Sequence, residues 1–598
     1  LTDTQSSTTS GAVAFELHDS RRLTGPNTLL PGAGAVVDVA ISDADADRAE
    51  RAWRARVSEI LNAVGWGSAS PAVRRFPGGM SLGFGAPIDA LYAATEVNEW
   101  AWSAAACDLA GIEPGTAESD VEAAADAAAR LRGEIAQEVN PDLIRLRDAA
   151  REHGVTFLSD DDHASVGLGS GSATWPARQL PDPERIEWSA IHDIPVALVT
   201  GTNGKTTTVR LLAAMAKAAG LIPGNTSTDG IYVDGTLIDA GDWSGPGGGR
   251  AVLRDPRVQL AVLETARGGM ARRGVALPRA SVAIVTNVAE DHLGEFGVHD
   301  VDGVARVKLV VGRAIPRGGR IVINADDPAL VRNAEAASEA GLLTAPFAWF
   351  GIDPDSPSLR PHVEAGAEVA TLQDGAFVYL YGEGRELGVP VDDVPLTLGG
   401  AARHNVYNCL GAIAVAGALR LPWDAVERAL REFEGSAADN PGRGNQYELG
   451  GVRVFLDFAH NPHGMEALAG MLASLPGQRR LIILGQGGDR DDASIRELAR
   501  TAWMARPDHV IVKELEKYLR GREPGEVPAI IESALIEAGA PPGVIEHADT
   551  EMDSVKQALR WAEPGDLILL IVHGKQSEAT ELLSRLSERG WKPGDELE

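Results

Sequence analysis

At 598 residues with a formal net charge of −30, the chain is too long for one core and suggests about three or four domains, and so acidic a surface argues against nucleic acid or an anionic membrane as the main partner. No apolar run reaches the roughly 18–20 residues that span a bilayer, and the opening LTDTQSSTTSGAVAF lacks the basic and apolar segments of a secretory signal. Cys107 and Cys409 are too few for a disulfide framework or a thiolate metal site, so the expectation is a cytoplasmic enzyme.

The first stretch, to about residue 135, is Ala-rich, and its periodicity predicts helices over Ala46–Val64 and Val121–Glu138. A helix over Asp142–His153, a strand at Val155–Leu158 and a Gly/Ser-rich hairpin-like segment, Val166–Trp175, follow. Pro181 and Pro183 mark a linker. From about residue 191, short β-rich runs (IPVALVT, VQLAVLET, ASVAIVTNV, GRIVINA) alternate with helical patterns, which predicts a parallel sheet wrapped by helices. After Arg443 the alternation restarts with VRVFLDFA, RLIILGQ, DHVIVKE and DLILLIVH, a second Rossmann-like unit. The expected organisation is a multidomain α/β protein: an α+β region over 1–185, a phosphate-loop parallel-sheet ATPase domain over 186–443, and a Rossmann-like domain over 444–598.

The most informative stretch is ALVTGTNGKTTTVRLLAAMAKAAG. A buried strand, Val196–Val199, runs into a glycine turn, and a helix begins near Lys205 and ends at Gly220. Gly201 and Gly204 allow backbone N–H groups to close on a phosphate, and the helix N-terminus adds its positive end. Lys205 is suited to neutralise the terminal phosphates and the Thr206 hydroxyl to ligate Mg²⁺. Lysine is scarce in this chain, where most basic residues are Arg, so a lysine inside a motif carries weight. The spacing is shorter than the common G-x-x-x-x-G-K-T form, because Val199 stands where the first Gly would be.

This loop resembles the Mur ligase superfamily, and further strings match it in order: VLETARGG, TNVAEDHLG, GVARVKLVV, RHNVYNCLGAIA, NPGRGNQ and FLDFAHNPHG. The resemblance implies an ATP-dependent amide-forming ligase that passes through an acyl phosphate. It assigns nucleotide contacts to Thr202, Asn203, Gly204, Lys205, Thr206 and Thr207, with Asn287, Asn405, Asn408, Arg443 and Asp457. Lys205 and Arg443 would steady the transferring phosphoryl group. Thr206, Glu264, His292 and a Lys308 carbamylated by CO₂ would hold one or two Mg²⁺.

The finer resemblance is to the Mur-like half of cyanophycin synthetase, over roughly residues 190–530 and more weakly near Leu23–Asn27 and Asn140–Trp188. It places an acceptor carboxylate near Thr228, Asp229, Gly230 and Arg267, and an incoming amino acid near His460, Asp489, Arg490, Glu514 and Arg522. Carboxylates there would receive a guanidinium or ammonium, and an arginine would grip the amino acid's carboxylate. In that family an ATP-grasp domain precedes the Mur-like part; here only residues 189–200 separate Trp188 from the phosphate loop. The expectation is therefore a ligase joining an amino acid, arginine in the relative, to a carboxylate such as an aspartate side chain, and not a maker of a two-residue polymer. The alternatives are a subunit working with a separate ATP-grasp ligase or glutamine amidotransferase, a non-catalytic nucleotide-binding scaffold, and a folylpolyglutamate-type enzyme. The cyanophycin relatives also imply a homo-oligomer.

Overall fold

The computed structural model describes residues 15–291 and 293–597. Residues 17–85 form a four-stranded antiparallel sheet, β1 (Leu17–Leu23), β2 (Gly34–Ala40), β3 (Pro71–Phe76) and β4 (Gly79–Gly85), in the order β1-β2-β4-β3. The helices Ala46–Ala63 and Leu91–Ala110 cover one face, burying Trp53, Val57, Ile60 and Trp102. Helical periodicity exposed the first of these; the strands escaped because the buried β2, GAVVDVA, lacks the alternation of a half-exposed strand. The later stretch of this region begins its helix at Ala124. The hairpin-like segment is real: β5 (Phe157–Ser159), β6 (His163–Val166) and β7 (Ala173–Pro176) form a small antiparallel sheet.

The central sheet has 11 strands in the order β11-β10-β9-β12-β8-β13-β14-β15-β16-β17-β18. They are β8 (Val196–Thr200), β9 (Pro223–Thr226), β10 (Gly230–Val233), β11 (Thr236–Ala240), β12 (Leu260–Glu264), β13 (Val282–Val285), β14 (Arg320–Asn324), β15 (Phe347–Phe350), β16 (Val369–Gln373), β17 (Ala376–Tyr381) and β18 (Gly384–Pro390). From β9 through β16 in that order the pairings are parallel, and antiparallel arms close both ends. Each inner strand is buried on both faces. In β8, Val196 and Leu198 point into one core and Ala197 and Val199 into the other, which is why the strand reads as a continuous apolar run. The helices Lys205–Ala218 and Arg403–Leu419 supply the second core with Met215, Leu212, Ile413 and Leu410.

The chain leaves β8 toward β9 on one side and later places β13 on the other. Loops after β8 and β13 therefore diverge from neighbouring strand ends, the switch point where open α/β sheets bind ligands. The C-terminal sheet, β19 (Asn445–Leu449), β20 (Val452–Asp457), β21 (Arg480–Leu484), β22 (His509–Lys513), β23 (Ile545–Ala548) and β24 (Leu567–Ile571), has the order β19-β20-β24-β21-β22-β23 and is parallel apart from β19. No helix among the described residues is long and apolar enough to cross a membrane.

Candidate active site

Strand β8 ends in the loop Gly201–Gly204, which feeds the helix Lys205–Ala218. Gly204 has φ +82, and a Cβ there would lie 2.2 Å from Asn408 Oδ1; a Cβ on Gly201 would lie 1.8 Å from Thr286 Oγ1. A side chain at either position would have to displace that neighbour. The loop is fastened to the segment after β13: Thr202 N–H donates to Asn287 O (3.0 Å), Asn203 N–H to Asn287 Oδ1 (2.9 Å), and Asn287 Nδ2 back to Asn203 O (3.0 Å). The amides of Thr202 and Asn203 are thus spent inside the protein, and Asn287 shapes the loop while lining its cavity. The amides open to a phosphate are those of the helix's first turn, from Lys205 on, where no carbonyl one turn earlier exists to receive them.

Lys205 Nζ folds back on Thr202 O (3.1 Å). Thr206 Oγ1 donates to Glu264 Oε2 at 2.8 Å from the end of β12. Glu264 is 2 % exposed, and its Oε1 is buried without a hydrogen-bond partner. Burial raises its pKa, opposed by the charge of Lys205, the Thr206 hydroxyl and Arg443. A buried carboxylate oxygen with no donor, beside a hydroxyl, is the donor chemistry Mg²⁺ takes, so these residues fit the metal. His292 lies outside the described residues. Among the described residues no three His, Cys, Asp or Glu side chains gather into a ready cation site. Lys308, at the end of the helix Val301–Lys308, is 4 % exposed. Burial and the positive charges of Lys205 and Arg267 push its amine well down toward neutrality.

Arg443 donates to Thr228 Oγ1 (3.2 Å), lies 3.8 Å from Asp229 and sits 4.7 Å over the Phe458 ring. Asp457, at the end of β20, is pushed up to about 6 by burial, with Arg443 and the Ala459 N–H pulling the other way. His460 is pushed down to about 4 by burial. A cavity of about 1080 Å³ is lined by Thr202–Thr207, Thr228, Glu264, Asn287, Asn405, Asn408, Arg443, Asp457 and His460, with contributions from both the central and the C-terminal sheets. Asn203 and Asn461 exchange amide hydrogen bonds at 3.1 Å across this junction.

Several expected contacts are used differently. Asn405 Nδ2 donates to Leu396 O and Asn408 Nδ2 to Asn405 Oδ1, both at 3.0 Å. These bonds hold the two amides together at the cavity wall, with Asn408 Oδ1 beside Gly204. Gly230 is a tight hairpin position, where a Cβ would meet Leu237 and Asp239 O. Asp229 lies between Arg443 and the buried Arg210, 3.6 Å away. Arg267 is 9 % exposed and bonds Glu295 Oε2 at 2.9 Å.

In the C-terminal sheet region, Asp489 is exposed and Arg490 pairs with Asp291 at 3.2 Å. Glu514 accepts the N–H groups of Leu515 (3.0 Å) and Gly525 (2.7 Å), and lines a separate cavity of about 270 Å³. Arg522 gives its donors to Gly488 O, Arg490 O, Asp492 and Glu526. It holds two loops together through these bonds.

Sequence reasoning missed Arg210, Asn440 and His404. Arg210 stands four residues after Thr206, one helical turn on, and stacks on Tyr232 at 4.3 Å; an arginine on an apolar helix face was the available signal. Asn440 Nδ2 donates to Thr207 Oγ1 at 3.0 Å from within the NPGRGNQ string. His404 lines the large cavity beside Asn405, pushed down to about 4 by burial.

Comparison with known proteins agrees with this geometry. Residues 199–416 match the Mur ligase middle domain, and residues 442–574 match the Mur ligase glutamate ligase domain. The chain is 35% identical over 378 residues to a cyanophycin synthetase of Trichormus variabilis, an alignment covering 63% of this chain and 41% of that protein. It thus spans about two fifths of the length of that relative, 41%. It is 29% identical over 440 residues to a UDP-N-acetylmuramate--L-alanine ligase of Roseiflexus sp., covering 71% of this chain and 83% of that one. Among solved structures, FolC from E. coli in complex with DHPP and ADP aligns with a TM-score of 0.47 at 20% identity, over 66% of this chain and 89% of that one. Two matches to one family, meeting the cavity from its two sides, lead to one assignment: the chain belongs to the Mur ligase family, carrying its middle and C-terminal domains.

Proposed function

We propose that this chain is an ATP-dependent ligase that joins an amino acid's amine to an acceptor carboxylate, an aspartate side chain being the acceptor and arginine the amine suggested by the cyanophycin synthetase relatives. The observation that carries the reading is Glu264 Oε1, buried and without a donor, next to Thr206 and facing the same cavity as Lys205 and Arg443. ATP supplies the γ-phosphoryl group to the acceptor carboxylate and ADP leaves. The amine then attacks the acyl carbon, loses its proton, and phosphate departs. Lys205 and Arg443 offset charge on the phosphoryl oxygens, and Asn287 with Thr286 fixes the loop so that little reorganisation is needed. Mg²⁺, when bound, supplies further neutralisation of phosphate charge; Thr206 and Glu264 would hold it, with His292 as a third group by resemblance. Carbamylation of Lys308 belongs to the same proposal. Its support is a sealed amine held toward neutrality, the form that reacts with CO₂.

Closure of the two domains over the cavity would shield an acyl phosphate from water. The test is phosphate release by the purified chain with Mg²⁺ across the twenty amino acids, with and without β-aspartyl peptide acceptors. Release that needs both an amine and a carboxylate acceptor is the expected result, and Lys205→Ala should abolish it. Release only when an ATP-grasp ligase or an ammonia source is added would replace the stand-alone reading with a partner-dependent one. Near-wild-type turnover by Lys205→Ala would remove the loop from the mechanism.

A further inference from the structure

The family matches begin at residue 199, yet the sheet of residues 17–85 touches two segments that carry site residues. The edge strand β1 lies against the helix Arg267–Arg273: Arg21 Nε donates to Ala271 O (3.2 Å), and Thr24 N–H to Arg273 O (2.8 Å). The opposite edge strand, β3, reaches the turn that follows Asp291. There Arg74 Nη2 donates to Phe296 O at 2.6 Å while also holding Ser81 Oγ at 3.1 Å. The Phe76 ring packs on Gly297 so closely that a Cβ there would lie 2.3 Å from it. Phe296 has φ 52 and ψ 34, a left-handed conformation unusual for a bulky aromatic residue and kept only where the surroundings over-determine it. Its ring sits under two guanidinium groups, Arg21 at 5.4 Å and Arg272 at 5.8 Å. The β1 edge therefore meets both the helix bearing Arg267 and the Phe296 ring, the β3 edge holds the Phe296–Gly297 turn next to Glu295, and the Arg267–Glu295 ion pair joins the two segments.

We propose that the sheet of residues 17–85 is a brace for the segment 293–297, which carries Glu295, the ion-pair partner of Arg267, with Arg74 its positioning residue through the Phe296 carbonyl. The catalytic consequence rests on the ligase reading above; the structural one does not. Arg74 lies outside the phosphate loop and the cavity lining, so its loss should lower turnover without weakening ATP binding. It should also loosen one short segment instead of the whole sheet.

The test compares Arg74→Ala, Arg74→Lys and the surface control Arg145→Ala by amide hydrogen exchange and by phosphate release. For Arg74→Ala the expected results are exchange of residues 293–299 faster by at least tenfold, kcat down by at least tenfold and KM for ATP within about twofold. Arg74→Lys, which can still donate to one carbonyl, should recover part of both losses, and Arg145→Ala should resemble wild type. Should Arg74→Ala fail to fold, Phe76→Leu puts the same question through the packed ring. Wild-type exchange over 293–299, or faster exchange with unchanged kcat, overturns the proposal; so does loosening spread evenly over residues 17–85. A wild-type chain silent in every phosphate-release assay would sink the ligase reading and leave the exchange result to decide the brace alone.

Discussion

Asp457 offers a sharp test of whether the cavity is held under electrostatic stress. Its carboxyl is pushed up to about 6 from an ordinary 3.8, chiefly by burial, despite Arg443 and the Ala459 N–H acting the other way. The folded chain therefore keeps a proton between about pH 4 and 6 that the unfolded chain releases. Stability contributed at this position falls as pH rises through that window and stays lower above it. At about 1.4 kcal/mol per pKa unit, the full gap corresponds to about 3 kcal/mol. Asp457 faces the cavity and is not sealed from solvent, so about 1–2 kcal/mol is the working figure. Asp457→Asn keeps the acceptor for Ala459 N–H and cannot ionise. It should melt about 2–8 °C above wild type at pH 7.5, with the difference closing as the pH approaches 4.5. Stability gained with turnover lost is the pattern of a site kept costly for its chemistry. The assay is thermal unfolding of both chains from pH 4.5 to 8. An Asp457→Asn chain no more stable at pH 7.5 than at pH 4.5, relative to wild type, would refute the argument.

Two further outcomes follow from local geometry. Glu551 is 6 % exposed and pairs with the fully buried Lys513, and its carboxylate also accepts the N–H groups of His573 and Gly574, both at 2.7 Å. Glu551→Ala strands a buried ammonium and should cost about 3–5 kcal/mol, whereas Glu551→Gln, whose one oxygen can still accept from Lys513 and the His573 N–H while the Gly574 N–H loses its acceptor, should cost less; chemical denaturation of both variants checks the order. Gly204→Ala must adopt φ near +82 and displace Asn408, costs of about 1–2 kcal/mol for the left-handed backbone and about 1 kcal/mol for the Asn408–Asn405 bond. Its affinity for ADP, measured by calorimetry, should fall about 10- to 100-fold, and an unchanged affinity would show that the loop needs neither feature.

What the sequence made legible, and what it hid, divides by the range of the interaction. The phosphate loop, the strand before it and the helix after it were readable because glycine spacing, an apolar run and helical periodicity are all local, and they agree at Val196–Ala218. Glu264, Arg443 and Asp457 were placed by resemblance, and all three line the cavity: Glu264 and Asp457 because the strands β12 and β20 end there, Arg443 from the loop before β19. What stayed hidden are the partners that lie elsewhere in the chain. Nothing around Arg522 announces that its guanidinium will close on the carbonyls of Gly488 and Arg490. Nor does the RHN string show that Asn405 will turn its amide toward Leu396 O. The brace is the extreme case. Arg74 meets Phe296 across 222 positions of sequence through a backbone carbonyl, a group every residue carries, so no residue type at either end encodes the contact. Such a contact is fixed by the placement of whole elements, here an edge strand against a left-handed turn. It is also where the chain outside the family match gains a physical reason to be present: a left-handed turn at a bulky residue persists where its surroundings over-determine it, and Arg21 and Arg74 add to the hold that Arg272 supplies.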